Sequence, residues 1–139
     1  MNQNSIFLPV LIQITLVIAL YVYLAIAKSR ALQRGEVDED RRALFDDAWP
    51  DSVLKINNCI RNQFEVPVLF YVSIFILWSL GAVNVFVHVA SWLFVATRIV
   101  HAYIHTGSNY VPLRRSVFSI GVLILLVLTI FAVVALFSG

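Results

Sequence analysis

The sequence predicts an all-α integral membrane protein, a four-helix bundle with room for little else. Three observations predict it. Of 139 residues, 60% are hydrophobic and 13% charged, and the mean hydropathy is +0.87, where a soluble domain carries about a quarter of its residues charged. Four apolar runs are each long enough to cross a bilayer, which takes about 20 residues. None of them alternates with period two, and lipid offers no hydrogen-bond partner to an open backbone, so helices are expected and barrel strands are not. Four spans consume roughly 80 residues, which leaves one substantial loop and short turns. Residues 1–139 therefore read as a single transmembrane domain.

The first span is expected at about Ile6 to Ala27. It ends in Ala25-Ile26-Ala27, a string that resembles a signal-peptidase site, but no positive charge precedes the run and Lys28 and Arg30 follow it directly, so it reads as a retained span. Pro9 falls in its first turns, where a missing N–H costs little. The stretch from Lys28 to Asp51 mixes signs, with an acidic run from Glu36 to Asp40 followed by Arg41-Arg42. It is expected to be a solvated loop with a short interfacial helix. Trp49 and Pro50 mark re-entry into the headgroup layer, where Trp is favoured and Pro starts helices. The remaining spans are expected at about Val53 to Leu80, Val83 to Thr106 and Val117 to Phe137.

Charge gives an orientation. All ten basic residues lie in or beside the first and third connections, whereas the second connection, around Gly81 to Asn84, and both termini carry no charged side chain. The positive-inside rule then puts the charged loops in the cytoplasm and both termini outside. A net charge of +2, with no solvent-facing basic stripe, argues against nucleic acid as a partner. The single cysteine, Cys59, makes no intramolecular disulfide and reads as a packed small residue.

Polar residues inside the spans need an explanation. In the second span Asn58, Arg61, Asn62 and Glu65 stand at i, i+3, i+4 and i+7, which places them on one helical face. In the third, Arg98, His101 and His105 form a similar stripe, with Asn109 and Arg114 following at the same end. Glu65 and Arg98 lie at matching depth, about 10 to 15 Å inward from the charged ends of their helices. An ionised group there costs several kcal/mol unless paired or hydrated. A Glu65–Arg98 pair is expected, and the surplus of polar groups beyond one pair points to a cavity for a polar or anionic ligand.

Other chemistries are weaker. His101 and His105 have only Glu65 as a third metal ligand and no HExxH pattern, so no metal is expected. Haem would need histidines on separate helices, and His88 lies on the same one. No nucleophile-elbow pattern marks a serine for acyl transfer.

The string Arg61-Asn62-Gln63-Phe64-Glu65, with Pro67 just after it, resembles the second-helix signature of the membrane-associated proteins in eicosanoid and glutathione metabolism, the MAPEG family. The string Arg98-Ile99-Val100-His101, continuing through Gly107 and Pro112 to Arg114, is similar to the matching segment of its prostaglandin E synthase branch. The resemblance covers nearly the whole chain. It implies a MAPEG-like homotrimer that binds glutathione between subunits near the cytoplasmic side and takes a lipophilic second substrate from the surrounding lipid. Arg61, Asn62, Glu65, Arg98 and His101 would then contact glutathione, with Asn58 and His105 completing the two stripes. Arg114 would stabilise the thiolate. This assignment is chemically sound, since arginine forks suit the two carboxylates of glutathione, Glu65 suits its ammonium, and a nearby cation lowers a thiol pKa.

Four positions depart from the family pattern. Asn58 stands where many relatives have arginine, His105 and Phe118 where the prostaglandin branch has tyrosines, and Arg115 at a serine position. These departures favour a general glutathione-dependent transferase or peroxidase acting on lipophilic electrophiles over prostaglandin synthesis. Two alternatives remain: a non-catalytic lipid-binding or scaffold protein of the same fold, and a small proton-coupled exporter with Glu65 as proton carrier.

Overall fold

A computed structural model describes residues 2–138; Met1 and Gly139, the outermost positions of the expected domain, lie outside the described residues. Five α-helices follow one another: α1 (Phe7–Gln33), α2 (Asp51–Gln63), α3 (Val66–Ser79), α4 (Val85–Thr106) and α5 (Val111–Ser138). They make four membrane spans, because α2 and α3 together cross once, over Asp51–Ser79. Large apolar side chains such as Leu11, Ile18, Leu69, Phe75, Leu123 and Val127 remain exposed on the outside of the bundle, as expected where lipid and not water is the solvent.

The helix boundaries depart from the expected ones in physically readable ways. α1 continues two turns past Ala27 and stops where Gly35, at φ 66°, adopts the left-handed conformation. There the Glu36 amide donates to the Ala31 carbonyl and the Gly35 amide to Leu32, which satisfies carbonyls the helix would leave open. α5 starts at Val111, six residues before the apolar run begins, so that Pro112 falls in its first turn, where no amide is needed.

The second span is broken, where the sequence predicts one continuous helix. Pro67 has no N–H for the Gln63 carbonyl, and its ring clashes with that carbonyl in an unbroken helix. The chain responds at Phe64 and Glu65, the latter at φ −98° and ψ −101°, with tightened bonds from the Phe64 amide to Arg61 (3.0 Å) and the Glu65 amide to Asn62 (3.4 Å). Facing the break, Gln13 of α1 donates through Nε2 to Gln63 Oε1 at 3.0 Å, and both amides are buried.

Two cores lie along the bundle axis. One, at the uncharged end, packs Ile6, Ile74, Leu77, Val87 and Leu128 around the stacked Phe70 and Phe94 rings, whose centroids are 4.3 Å apart. A single 3₁₀ turn before α1 closes this end, with Trp78 Nε1 donating to Asn4 Oδ1 at 3.0 Å. The other core packs Leu20, Leu24, Val53, Ile56 and Ile60 of α1 and α2 with Ala102 of α4, and it includes the fully buried Cys59. α5 approaches α4 closely at Gly121, where a Cβ would stand 2.9 Å from Thr97 Oγ1.

The long loop contains one 3₁₀ turn, Asp46–Ala48, in place of the expected interfacial helix. Several of its charges are paired within the loop. Arg41 holds Asp47 through two bonds of 2.8 and 2.9 Å, which raises the guanidinium pKa above its usual value, and Arg42 holds Glu39 at 2.8 Å. Lys28 lies over the Trp49 ring, 4.7 Å from its centroid.

Candidate polar site at the charged end

The cavities bearing the predicted polar residues open where α2, α4 and the start of α5 meet. One, of about 180 Å³, is lined by Asn62, His101, His105, Arg114, Arg115 and Phe118; a second, of about 310 Å³, is lined by Asp51, Lys55, Asn58, His105, Asn109 and Arg114, with Leu54. His105 and Arg114 belong to both, so the two form one recess with two lobes.

Beneath this recess, Arg98 is 1% exposed. Its guanidinium donates to Asn62 Oδ1, and Asn62 Nδ2 in turn donates to Glu65 Oε2 at 3.2 Å. The expected direct Glu65–Arg98 pair is therefore replaced by a relay through Asn62. The helix break explains the change: it turns Glu65 away from the phase of the preceding stripe and leaves it exposed, while Asn62, one turn earlier, still faces α4. No carboxylate lies within 4 Å of Arg98 among the described residues, and its Nε has no partner. The Phe118 ring of α5 lies over the guanidinium at 5.7 Å, a cation–π distance.

The two histidines of α4 are also buried. His101 and His105 are 3% and 7% exposed, their rings meet edge to face with centroids 5.4 Å apart, and His101 packs on Phe118 at 5.9 Å. Nδ1 of each ring has no protein partner. Buried polar atoms in folded proteins are nearly always bonded, so these two and Arg98 Nε mark the recess as a place suited to a polar guest.

Arg114 is fixed by the turn that precedes α5. Asn109 takes the left-handed conformation at φ 52°, which its short side chain tolerates, and its amide donates to the Ile104 carbonyl at 2.7 Å. Asn109 Oδ1 then accepts from the Arg114 guanidinium. Lys55 of α2 ties the same turn down by donating to the Gly107 carbonyl at 3.3 Å.

The predicted residues are only partly brought together. Asn62, His101, His105 and Arg114 line the recess, Asn58 contributes from its outer lobe, and Arg98 stands behind it. Arg61 and Glu65 do not line it. Arg61 is exposed and paired with Asp46 of the loop, whose other oxygen is 3.5 Å from Asn57 Nδ2. The sequence singles out Asn109 and Phe118 but not their roles, which come from contact: Asn109 accepts from Arg114, and Phe118 packs on Arg98 and His101. Sequence reasoning missed Gln13, an amide in an otherwise apolar run and a visible signal for the buried pair with Gln63.

Four spans and a cationic recess between helices at the charged end define an integral, multi-pass membrane protein with a polar recess at one end of its bundle. Residues 6–134 match the family model described as MAPEG family, and the chain belongs to that family. No curated protein and no solved structure matched the chain.

Proposed function

We propose that this protein is a membrane-embedded glutathione-dependent transferase or peroxidase acting on lipophilic electrophiles. The observation that carries this reading is the unbalanced charge of the recess. Arg98 is buried with a neutral amide as its only hydrogen-bond acceptor, and Arg114, Arg115 and Lys55 line the two lobes against one carboxylate, Asp51. A buried cation without a counter-ion is costly, and an anionic guest offsets that cost. Glutathione, which members of this family use, supplies two carboxylates and one ammonium. The orphaned nitrogens of Arg98, His101 and His105 fit such a guest, with Asn58 and Asn62 as further amide contacts.

When bound, glutathione supplies a thiolate that forms a C–S bond to the electrophile, whose leaving group departs with the bonding electrons while the thiol proton passes to water. The chain's part is electrostatic. Arg114, oriented by Asn109 and half-buried, holds a fixed positive charge common to both lobes and would lower the cost of a thiolate bound there. Phe118 forms an apolar wall of the smaller lobe.

The outward position of Arg61 and Glu65 supports a homotrimer in which a neighbouring chain completes the site. A lipophilic substrate would enter from the lipid at the edge between α4 and α5. Charge placement supports a cytoplasmic position for the recess and the long loop, with both termini outside. The segment from Arg98 to Arg114 resembles the prostaglandin E synthase branch. The face made of His105 and Phe118 lacks the phenol hydroxyls of that branch, which is why the proposal stops at the general class.

Calorimetric titration of the detergent-purified protein with glutathione tests the reading. Saturable binding, with conjugation of a lipophilic electrophile, is expected. Absence of both would overturn it in favour of a non-catalytic lipid-binding protein of the same fold.

A further inference from the structure

At the charged end, on the opposite side of α2 from the recess, a second cavity of about 140 Å³ lies between the last turns of α1 and the first turn of α2. Its walls include Tyr23, Ala27, Arg30, Arg34, Glu36 and Ser52. Three charges stand together in it without partners among the described residues, whereas Arg115, Asp40 and Asp51, also unpaired, stand elsewhere. Lys28 lies on Trp49, Arg41 and Arg42 hold carboxylates of the loop, Arg61 holds Asp46, and Lys55, Arg98 and Arg114 donate to protein oxygens. Among the described residues, Arg30, Arg34 and Glu36 make no ion pair and no side-chain hydrogen bond, although all three share one cavity.

Their placement is fixed by the backbone. Arg30 and Arg34 are one helical turn apart on α1, and the reversal at Gly35 brings Glu36 back over the helix end through its bond to Ala31. Along α1, Tyr23 lies about 10 Å below Arg30, toward the bilayer interior. The cavity therefore runs from two guanidiniums and a carboxylate at headgroup depth to an apolar wall at acyl depth. Two forked cations suit a phosphodiester, and a carboxylate beside them suits a primary ammonium. A quaternary ammonium has no N–H to donate to Glu36, and the neutral glycerol of phosphatidylglycerol brings no positive charge to offset Glu36 and the phosphate together.

We propose that this groove binds a phosphoethanolamine lipid, with Arg30 and Arg34 on the phosphate, Glu36 on the ammonium and one acyl chain along Tyr23 and Ala27. The site is separate from the recess and stands whether or not glutathione binds there.

Native mass spectrometry of the purified protein with phosphatidylethanolamine, phosphatidylglycerol and phosphatidylcholine of identical chains reads the preference directly. The wild-type protein should retain phosphatidylethanolamine over phosphatidylcholine by about tenfold or more, as expected from losing one charge-assisted hydrogen bond. The double variant Arg30→Gln/Arg34→Gln should lose that retention, and Glu36→Gln should shift the preference to phosphatidylglycerol. Arg42→Gln, paired outside the groove, should change nothing. Because Arg30, Arg34 and Glu36 are exposed, the variants should keep the wild-type circular dichroism spectrum, and the single variant Arg34→Gln provides a milder form of the same test. Equal retention of all three lipids by the wild type, undiminished retention by the arginine variants, or displacement of the lipid by millimolar inorganic phosphate would each overturn the proposal.

Discussion

Asn62 of α2 and Arg98 of α4 are joined by a partly buried hydrogen bond, and that bond gives the otherwise unpaired guanidinium its protein acceptor. It joins the two helices that carry most of the polar site. Because Asn62 also donates to Glu65 at 3.2 Å, the same amide connects the buried cation to an exposed carboxylate.

Removing that acceptor should be felt strongly. Asn62→Ala leaves Arg98 buried without a partner and should destabilise the fold by about 1.5 to 3 kcal/mol, the worth of a hydrogen bond to a charged group. Thermal unfolding in detergent, followed by circular dichroism, measures it. A double-mutant cycle should show larger coupling for Asn62 with Arg98 than for Glu65 with Arg98, and the reverse order would disprove the relay.

Arg114 and Arg115 are neighbours with different surroundings. Arg114 is half-buried, held by Asn109 and common to both lobes, whereas Arg115 is exposed and reaches only the smaller one. Under the proposed chemistry, Arg114→Ala should lower the rate of glutathione conjugation by about 100-fold or more with a smaller change in affinity. Arg115→Ala should retain most of the rate. Steady-state kinetics with one lipophilic electrophile distinguishes them.

Asp46 occupies the guanidinium of Arg61, which the proposed site would use for a carboxylate of glutathione. Both side chains are about half exposed, so the pair contributes no more than about 1 kcal/mol. Asp46→Asn should leave stability nearly unchanged and tighten glutathione binding by up to about fivefold. Weaker binding on titration would show that Asp46 orients Arg61 and does not compete for it.

Gly121 sets the spacing of α4 and α5. A Cβ there meets Thr97 Oγ1 at 2.9 Å, so Gly121→Ala should cost about 1 to 3 kcal/mol through overpacking. Thr97→Ala removes the obstructing oxygen, and the double variant should recover most of the lost thermal stability.

Orientation can be checked on the same protein. With Cys59 replaced by serine, a cysteine at Glu36 should be labelled by an impermeant maleimide only from the cytoplasmic side, and one at Asn2 only from the other.

The sequence by itself determined the class of protein, because a span is a local property. About 20 apolar residues without a hydrogen-bonding solvent must form a helix whatever their neighbours do. It also supplied the members of the polar site, since Asn62, Arg98, His101, His105 and Arg114 are conspicuous in apolar runs. Which of them meet was decided only by the tertiary structure. Extending the stripe from Asn58 to Glu65 assumes an unbroken helix, and Pro67 resets the phase between Asn62 and Glu65 by withholding one amide. Arg98 therefore bonds to Asn62, and Arg61 goes to a loop carboxylate fifteen residues earlier in the chain. The recess likewise depends on Phe118 and Asn109, whose roles come from the close approach of α5 to α4. Helical periodicity fixes which side chains share a face, but the rotation of one helix against another is set by packing contacts between residues far apart in sequence.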